Sequence, residues 1–103
     1  MDHDIKNKIE KDLKSNKVVL YMKGTADAPM CGFSARAVAI LRDLNTPFKD
    51  VNILADENIR SGIKEYSEWP TIPQLYINGE FVGGSDIMAE MNESGELAKL
   101  LGK

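Results

Sequence analysis

At 103 residues the chain has room for one domain, spanning 1–103, and not for two. Roughly two-thirds of the unfolded surface of such a chain can be buried, so it needs no staple to fold. The net charge of −3 and the absence of clustered Lys and Arg argue against nucleic acid or an anionic membrane as partner, and no apolar run approaches membrane-spanning length. Met1 to Ile5 is polar and acidic, unlike a secretory signal or an Arg-rich transit peptide. One cysteine excludes an internal disulfide and suits a reducing compartment such as the cytoplasm.

Residues 2–15 read as an amphipathic helix with Ile5, Ile9 and Leu13 on one stripe, acidic residues near its start and lysines near its end. Lys17 to Met22 reads as a strand whose unbroken apolar run implies burial on both faces. A loop from Gly24 to Met30 follows. The next helix carries an apolar stripe of Phe33, Ala37, Ile40, Leu41 and Leu44 and ends at Asn45-Thr46-Pro47. Phe48 to Ile53 reads as a strand, parallel to the first through a right-handed crossover.

Asp56 to Tyr66 is the third expected helix, with Ile59, Ile63 and Tyr66 on one side, broken by Trp69-Pro70-Thr71-Ile72-Pro73. Gln74 to Ile77 and Glu80 to Val82 form a hairpin across Asn78-Gly79, where both positions tolerate positive φ. Gly83-Gly84-Ser85-Asp86 leads into a final helical region with Ile87, Met88, Met91, Leu97, Leu100 and Leu101 on its apolar face, breakable at Ser94-Gly95. Four strands with helices on both faces make a three-layer α/β/α sandwich with a mixed sheet, in thioredoxin-like order.

Cys31 follows a strand and a loop and precedes a helix, so its sulfur lies beside the unpaired N–H groups of a first turn. Those donors and the helix dipole stabilise a thiolate, the reactive and metal-binding form, and Lys23 is placed to help. A buried structural thiol is the competing reading. It is disfavoured because Gly32 opens the space beside the sulfur and the apolar stripe begins only at Phe33. Ser34 stands where a dithiol enzyme needs a second cysteine, so any redox cycle requires an external thiol. The hydroxyl also suits an ordinary first-turn role. His3, the only histidine, reads as a surface residue.

Lys23-Gly24-Thr25 through Pro29-Met30-Cys31-Gly32-Phe33-Ser34, then Trp69-Pro70-Thr71-Ile72-Pro73-Gln74, then Gly83-Gly84-Ser85-Asp86 closely resemble the monothiol glutaredoxins of the Cys-Gly-Phe-Ser type, over nearly the whole chain. The resemblance is greatest to the short bacterial and mitochondrial members. It implies a thioredoxin-like fold, binding of glutathione and a [2Fe-2S] cluster, and delivery of that cluster to iron-sulfur recipient proteins. It also implies Cys31 as cluster ligand, glutathione contacts from Lys23, Arg60, Ile72, Ser85 and Asp86, and pairing with BolA-like proteins. The location it implies is the bacterial cytoplasm, or the mitochondrial matrix if a presequence has been removed. Some members carry a second cysteine where this chain has Ser85, so disulfide pairing between those positions is impossible here.

Elementary chemistry is consistent with the tripeptide. Lys23 and Arg60 suit the glycine carboxylate, though each also reads as a solvated surface charge. Ile72-Pro73 invites a cis bond that would present the Ile72 backbone to a peptide, or else forms a plain turn. Ser85 and Asp86 suit the γ-glutamyl carboxylate and ammonium, or simply cap a helix. Trp69 reads equally as core packing or ligand contact. A [2Fe-2S] cluster usually takes four thiolates and this chain supplies one. Two chains and two glutathiones complete the set as a bridged homodimer. The alternatives are a glutathione-dependent thiol–disulfide oxidoreductase with Cys31 as catalytic nucleophile, and an adaptor whose cysteine is idle.

Overall fold

The computed structural model describes residues 2–103. The order is α1 (His3–Ser15), β1 (Val18–Met22), α2 (Gly32–Asp43), β2 (Lys49–Asn52), α3 (Glu57–Ser67), β3 (Gln74–Ile77), β4 (Glu80–Gly83), α4 (Ser85–Ser94) and α5 (Glu96–Leu100). The strands form one sheet in the order β2-β1-β3-β4, with β1 and β2 parallel and β3 antiparallel to both of its neighbours. This is the expected mixed, four-stranded thioredoxin-like sheet.

Alternation along β1 divides the core. Val18, Leu20 and Met22 pack with Ala37, Val38, Ile40 and Leu41 of α2 and with Met88, Leu97 and Leu101 from the C-terminal helical region. Val19 and Tyr21 pack with Ile9 and Leu13 of α1, and with Ile59 and Ile63 of α3. All five β1 side chains are buried, which is why the run carries no polar alternation. Each such aliphatic side chain contributes about 2 kcal/mol of burial.

Local chemistry sets the boundaries. Asp2 and Asp56, expected inside their helices, sit just before them as caps. Asp2 accepts from the N–H groups of Asp4 (2.8 Å) and Ile5 (3.4 Å), and Asp56 from those of Asn58 (3.0 Å) and Ile59 (3.4 Å). Asn78 and Gly79 take φ of 52° and 81° in the hairpin turn. Gly95, at φ 87°, splits the final helical region into α4 and α5 at the expected break.

Three apolar assignments are corrected. Phe33, Ile87 and Leu100 were expected on core-facing stripes and are exposed by 60%, 39% and 47%. In α2 the buried face instead runs through Ser34, Ala37, Val38, Ile40 and Leu41. Phe33 and Ile87 lie in the first turns of α2 and α4, where they flank a groove.

Candidate functional site

β1 ends at Met22 and the chain doubles back before α2 begins. The Met30 N–H donates to the Lys23 carbonyl (2.9 Å), and Thr25 and Ala28 exchange backbone bonds at 3.1 and 3.3 Å, so residues 24–29 form a closed miniature hairpin. Gly24 is required at its neck. Its φ is 88°, and a Cβ there would stand 2.5 Å from the Ala28 carbonyl oxygen and 2.8 Å from the Met30 nitrogen.

The hairpin delivers Cys31 as the N-cap of α2, in extended backbone and half-buried. Its thiol pKa is held below the ordinary value. The Ser34 backbone N–H contributes most, against the opposing effect of partial desolvation. The Phe33 N–H, the Ser34 hydroxyl and the Lys23 charge add to it. Helix-start donors therefore matter more here than the lysine.

Ser34 is fully buried, and its Oγ accepts the Lys23 N–H at 3.0 Å. It therefore ties the end of β1 to the start of α2, and its N–H and hydroxyl both help to lower the thiol pKa. A Cβ built on Gly32 would meet nothing within 4 Å. Nothing inside the chain requires that glycine, so the open space faces outward.

A groove of about 400 Å³ lies at this end of α2; Cys31 is not itself among its wall residues, but Phe33, two residues on, and Lys23 are. Phe33 and Lys23 form its near wall, and Trp69, Pro70, Thr71, Ile72 and Pro73 its floor and side. Gly84, Ser85, Asp86 and Ile87 at the start of α4, and Lys64 of α3, complete the lining. The Ile72–Pro73 bond is cis, and both residues are buried. Ser85, the first residue of α4, is buried, whereas the Asp86 side chain is exposed and pairs with Arg36 Nη1 at 3.3 Å. Trp69 is 44% exposed and leans on Phe81, with ring centroids 6.1 Å apart, so it both packs and lines the groove.

The structure thus brings Lys23, Ile72, Ser85 and Asp86 to one groove beside Cys31. Arg60 is not among the wall residues. It lies on α3 one turn before Lys64, and positions four apart share a helix face. Lys64 was not singled out in the sequence, because a lysine on an amphipathic helix carries no signal of its own. Gln74 reads in the sequence as the first residue of a strand and the last of the Trp69–Gln74 motif, with no role of its own. It is fully buried, with its Nε2 donating to the Trp69 and Thr71 carbonyls (both 3.1 Å) and its Oε1 accepting from the Tyr76 hydroxyl (3.2 Å). It holds the groove floor to the sheet. His3 is exposed, as expected.

A family model described as Glutaredoxin matches residues 18–82. The chain belongs to the glutaredoxin family. It is 61% identical over 93 residues to the chloroplastic monothiol glutaredoxin-S14 of Arabidopsis thaliana, covering 90% of this chain and 54% of that one. The chain therefore spans about half the length of that relative. It is 54% identical over 101 residues to a monothiol glutaredoxin (ycf64-like) of Synechocystis, covering 98% and 94% of the two chains. Among solved structures, reduced apo GrxS14 from poplar superposes with a TM-score of 0.83 at 58% identity, over 92% of this chain and 87% of that one. As in a monothiol glutaredoxin, one cysteine serves the site.

Among the described residues no helix is long and apolar enough to cross a membrane, and no group of three His, Cys, Asp or Glu side chains could hold a metal. A metal at this site would need ligands from beyond the chain.

Proposed function

We propose that this glutaredoxin binds glutathione in the groove beside Cys31 and carries a [2Fe-2S] cluster to iron-sulfur recipient proteins, the cluster bridging two copies of the chain. The observation that carries the reading is a solitary, solvent-reachable, anion-stabilised sulfur beside a peptide-sized groove whose lining includes two lysines and a helix start with a carboxylate.

The groove's chemistry matches glutathione end to end. Lys23 and Lys64 of the wall, with Arg60 one turn before Lys64 on α3, offer charge to the glycine carboxylate. The Ile72 backbone, before the cis Pro73 in the groove wall, suits pairing with a peptide as an added strand. The N-terminus of α4 at Ser85 suits the γ-glutamyl carboxylate, and Asp86 suits the ammonium. The cluster is cargo. It takes four thiolates, of which Cys31 is the chain's single donor; two Cys31 and two glutathione thiolates make the set. The open space at Gly32 and the exposed Met30 and Phe33 leave the sulfur approachable by a second copy. Because half the ligands are exchangeable small molecules, such a site releases its cluster more readily than an all-protein site, which suits a carrier. BolA-like proteins are further partners in this reading, and a reducing compartment, bacterial cytoplasm or mitochondrial matrix, is its setting.

A second reading uses the same thiolate as a nucleophile. Cys31 attacks the glutathione sulfur of a protein–glutathione disulfide, the protein leaves as its thiolate, and Cys31 keeps the glutathione. A second glutathione thiolate then attacks that glutathione sulfur, releasing Cys31 and oxidised glutathione. The lowered thiol pKa favours this reading, since one thiol suffices.

Oxygen-free reconstitution with iron and sulfide, with and without glutathione, separates the two. The carrier reading expects visible cluster absorbance only with glutathione, and slow reduction of a glutathionylated substrate. No absorbance under either condition, with rapid turnover, would hand first place to the oxidoreductase.

A further inference from the structure

We propose that Asp50 and Asn52 of β2 are positioning residues for Cys31, acting through the miniature hairpin that precedes it. The hairpin is closed on itself at its neck by the Met30–Lys23 bond, so its internal bonds leave it free to tilt as one flap. Its tilt is fixed from outside. Asn52 Oδ1 accepts the Gly24 N–H at 3.0 Å and also the Leu54 N–H at 3.0 Å, which joins the loops leaving β1 and β2. Asp50 Oδ2 accepts the Ala26 N–H at 2.7 Å, a charge-assisted bond at the short end of its range.

Residues 50 and 52 point to one side of β2, as alternate strand positions must, and their two acceptors meet alternate hairpin amides. β1 and β2 end in register, Met22 opposite Asn52, so the hairpin folds back over the sheet face on which the Asp50 and Asn52 side chains stand. A third tether, Arg42 to Asp27 at 2.7 Å, joins two exposed side chains and holds far less. Met30 carries the hairpin's tilt directly into Cys31, and Lys23 stands at its other foot, so the clasp sets where the sulfur lies relative to its donors.

The test alkylates Cys31 of the metal-free protein with iodoacetamide at one neutral pH, so it is independent of cluster or glutathione binding. Asp50→Ala with Asn52→Ala slows alkylation by about three- to tenfold, the loss expected from two positioning hydrogen bonds. It also speeds hydrogen exchange at the Gly24 and Ala26 amides. The conservative pair Asp50→Asn with Asn52→Asp, which keeps an acceptor at each place, returns the rate to within about twofold of the parent, and Arg42→Ala leaves it there. Asp50→Ala alone, which frees only a loop amide, gives the same direction should the double variant fold poorly. An alkylation rate unchanged in folded alanine variants, or not restored by the conservative pair, overturns the proposal.

Discussion

Two grooves of similar size lie at opposite ends of the sheet, and they are built from different chemistry. The one beside Cys31 gathers apolar side chains that the fold leaves uncovered, Phe33, Trp69 and Ile87, together with two lysines and a helix start. The second, about 520 Å³, is lined by the end of α1, Tyr66 and the Asn78–Gly79 turn, including Glu10, Lys14 and Lys17. No cysteine lines it, and none of its lining residues starts a helix. Concavity comes free wherever helices overhang a sheet. What distinguishes a site is uncovered apolar surface beside an activated group.

The sharpest way to break that contrast is Cys31→Ser. It abolishes alkylation and glutathione-dependent iron binding while leaving the melting temperature within a few degrees. Lys14→Ala, in the second groove, changes neither property. Thiol labelling and iron analysis read both, and an iron-loaded Cys31→Ser protein would dissolve the contrast.

Next in size is Gln74→Leu. It strips the groove floor of its anchor and leaves the Tyr76 hydroxyl and the Trp69 and Thr71 carbonyls without their partner, at a cost of about 2–4 kcal/mol. Chemical denaturation measures it. The second groove has no comparable buried polar anchor, so Ser15→Ala there costs about 0.5 kcal/mol or less.

Much of this contrast was legible in the chain. The unbroken Val18–Met22 run marked the doubly covered strand, Asn78–Gly79 the hairpin, Gly95 the helix break, and Cys31-Gly32 an approachable sulfur at a helix start. Two of the misses share a cause. Phe33 and Ile87 fit a helical apolar period, but first turns overhang the sheet's edge, where nothing covers them. Periodicity reports which face a residue occupies, not whether a neighbour exists there. Asp50, Asn52, Lys64 and Gln74 look like ordinary polar residues until the fold shows what they reach.

Gly32→Ala sharpens the comparison further. With nothing within 4 Å of the new Cβ, and alanine preferred to glycine in a helix, the protein gains about 0.5–1 kcal/mol. Its yield of glutathione-bridged cluster falls, because the space serves an incoming molecule. A melt paired with visible absorbance checks both, and an unchanged yield would mean that the space is idle.

The smallest effect lies away from both grooves. Burial raises the Tyr76 hydroxyl to about 12 from the ordinary 10, and raises Tyr21 as well, with Asp12 adding to its burial. Folding therefore favours the neutral phenols. Their contribution is complete below pH 10 and is lost as pH climbs through 10 to 12 and beyond, so melting temperature declines over that window. The Tyr21 hydroxyl is buried with no hydrogen-bond partner among the described residues, so Tyr21→Phe holds or raises stability at neutral pH by up to about 1 kcal/mol and softens the alkaline decline. A steeper decline in that variant would contradict the burial argument.

The central claim is that one sulfur per chain, completed by a borrowed thiol, holds the cargo. Native mass spectrometry of the protein reconstituted without oxygen in glutathione reads this directly. The account predicts one species containing two chains, two glutathiones and one [2Fe-2S] unit, collapsing to monomer when iron is chelated. A cluster carried by a single chain, or by a dimer free of glutathione, would contradict it.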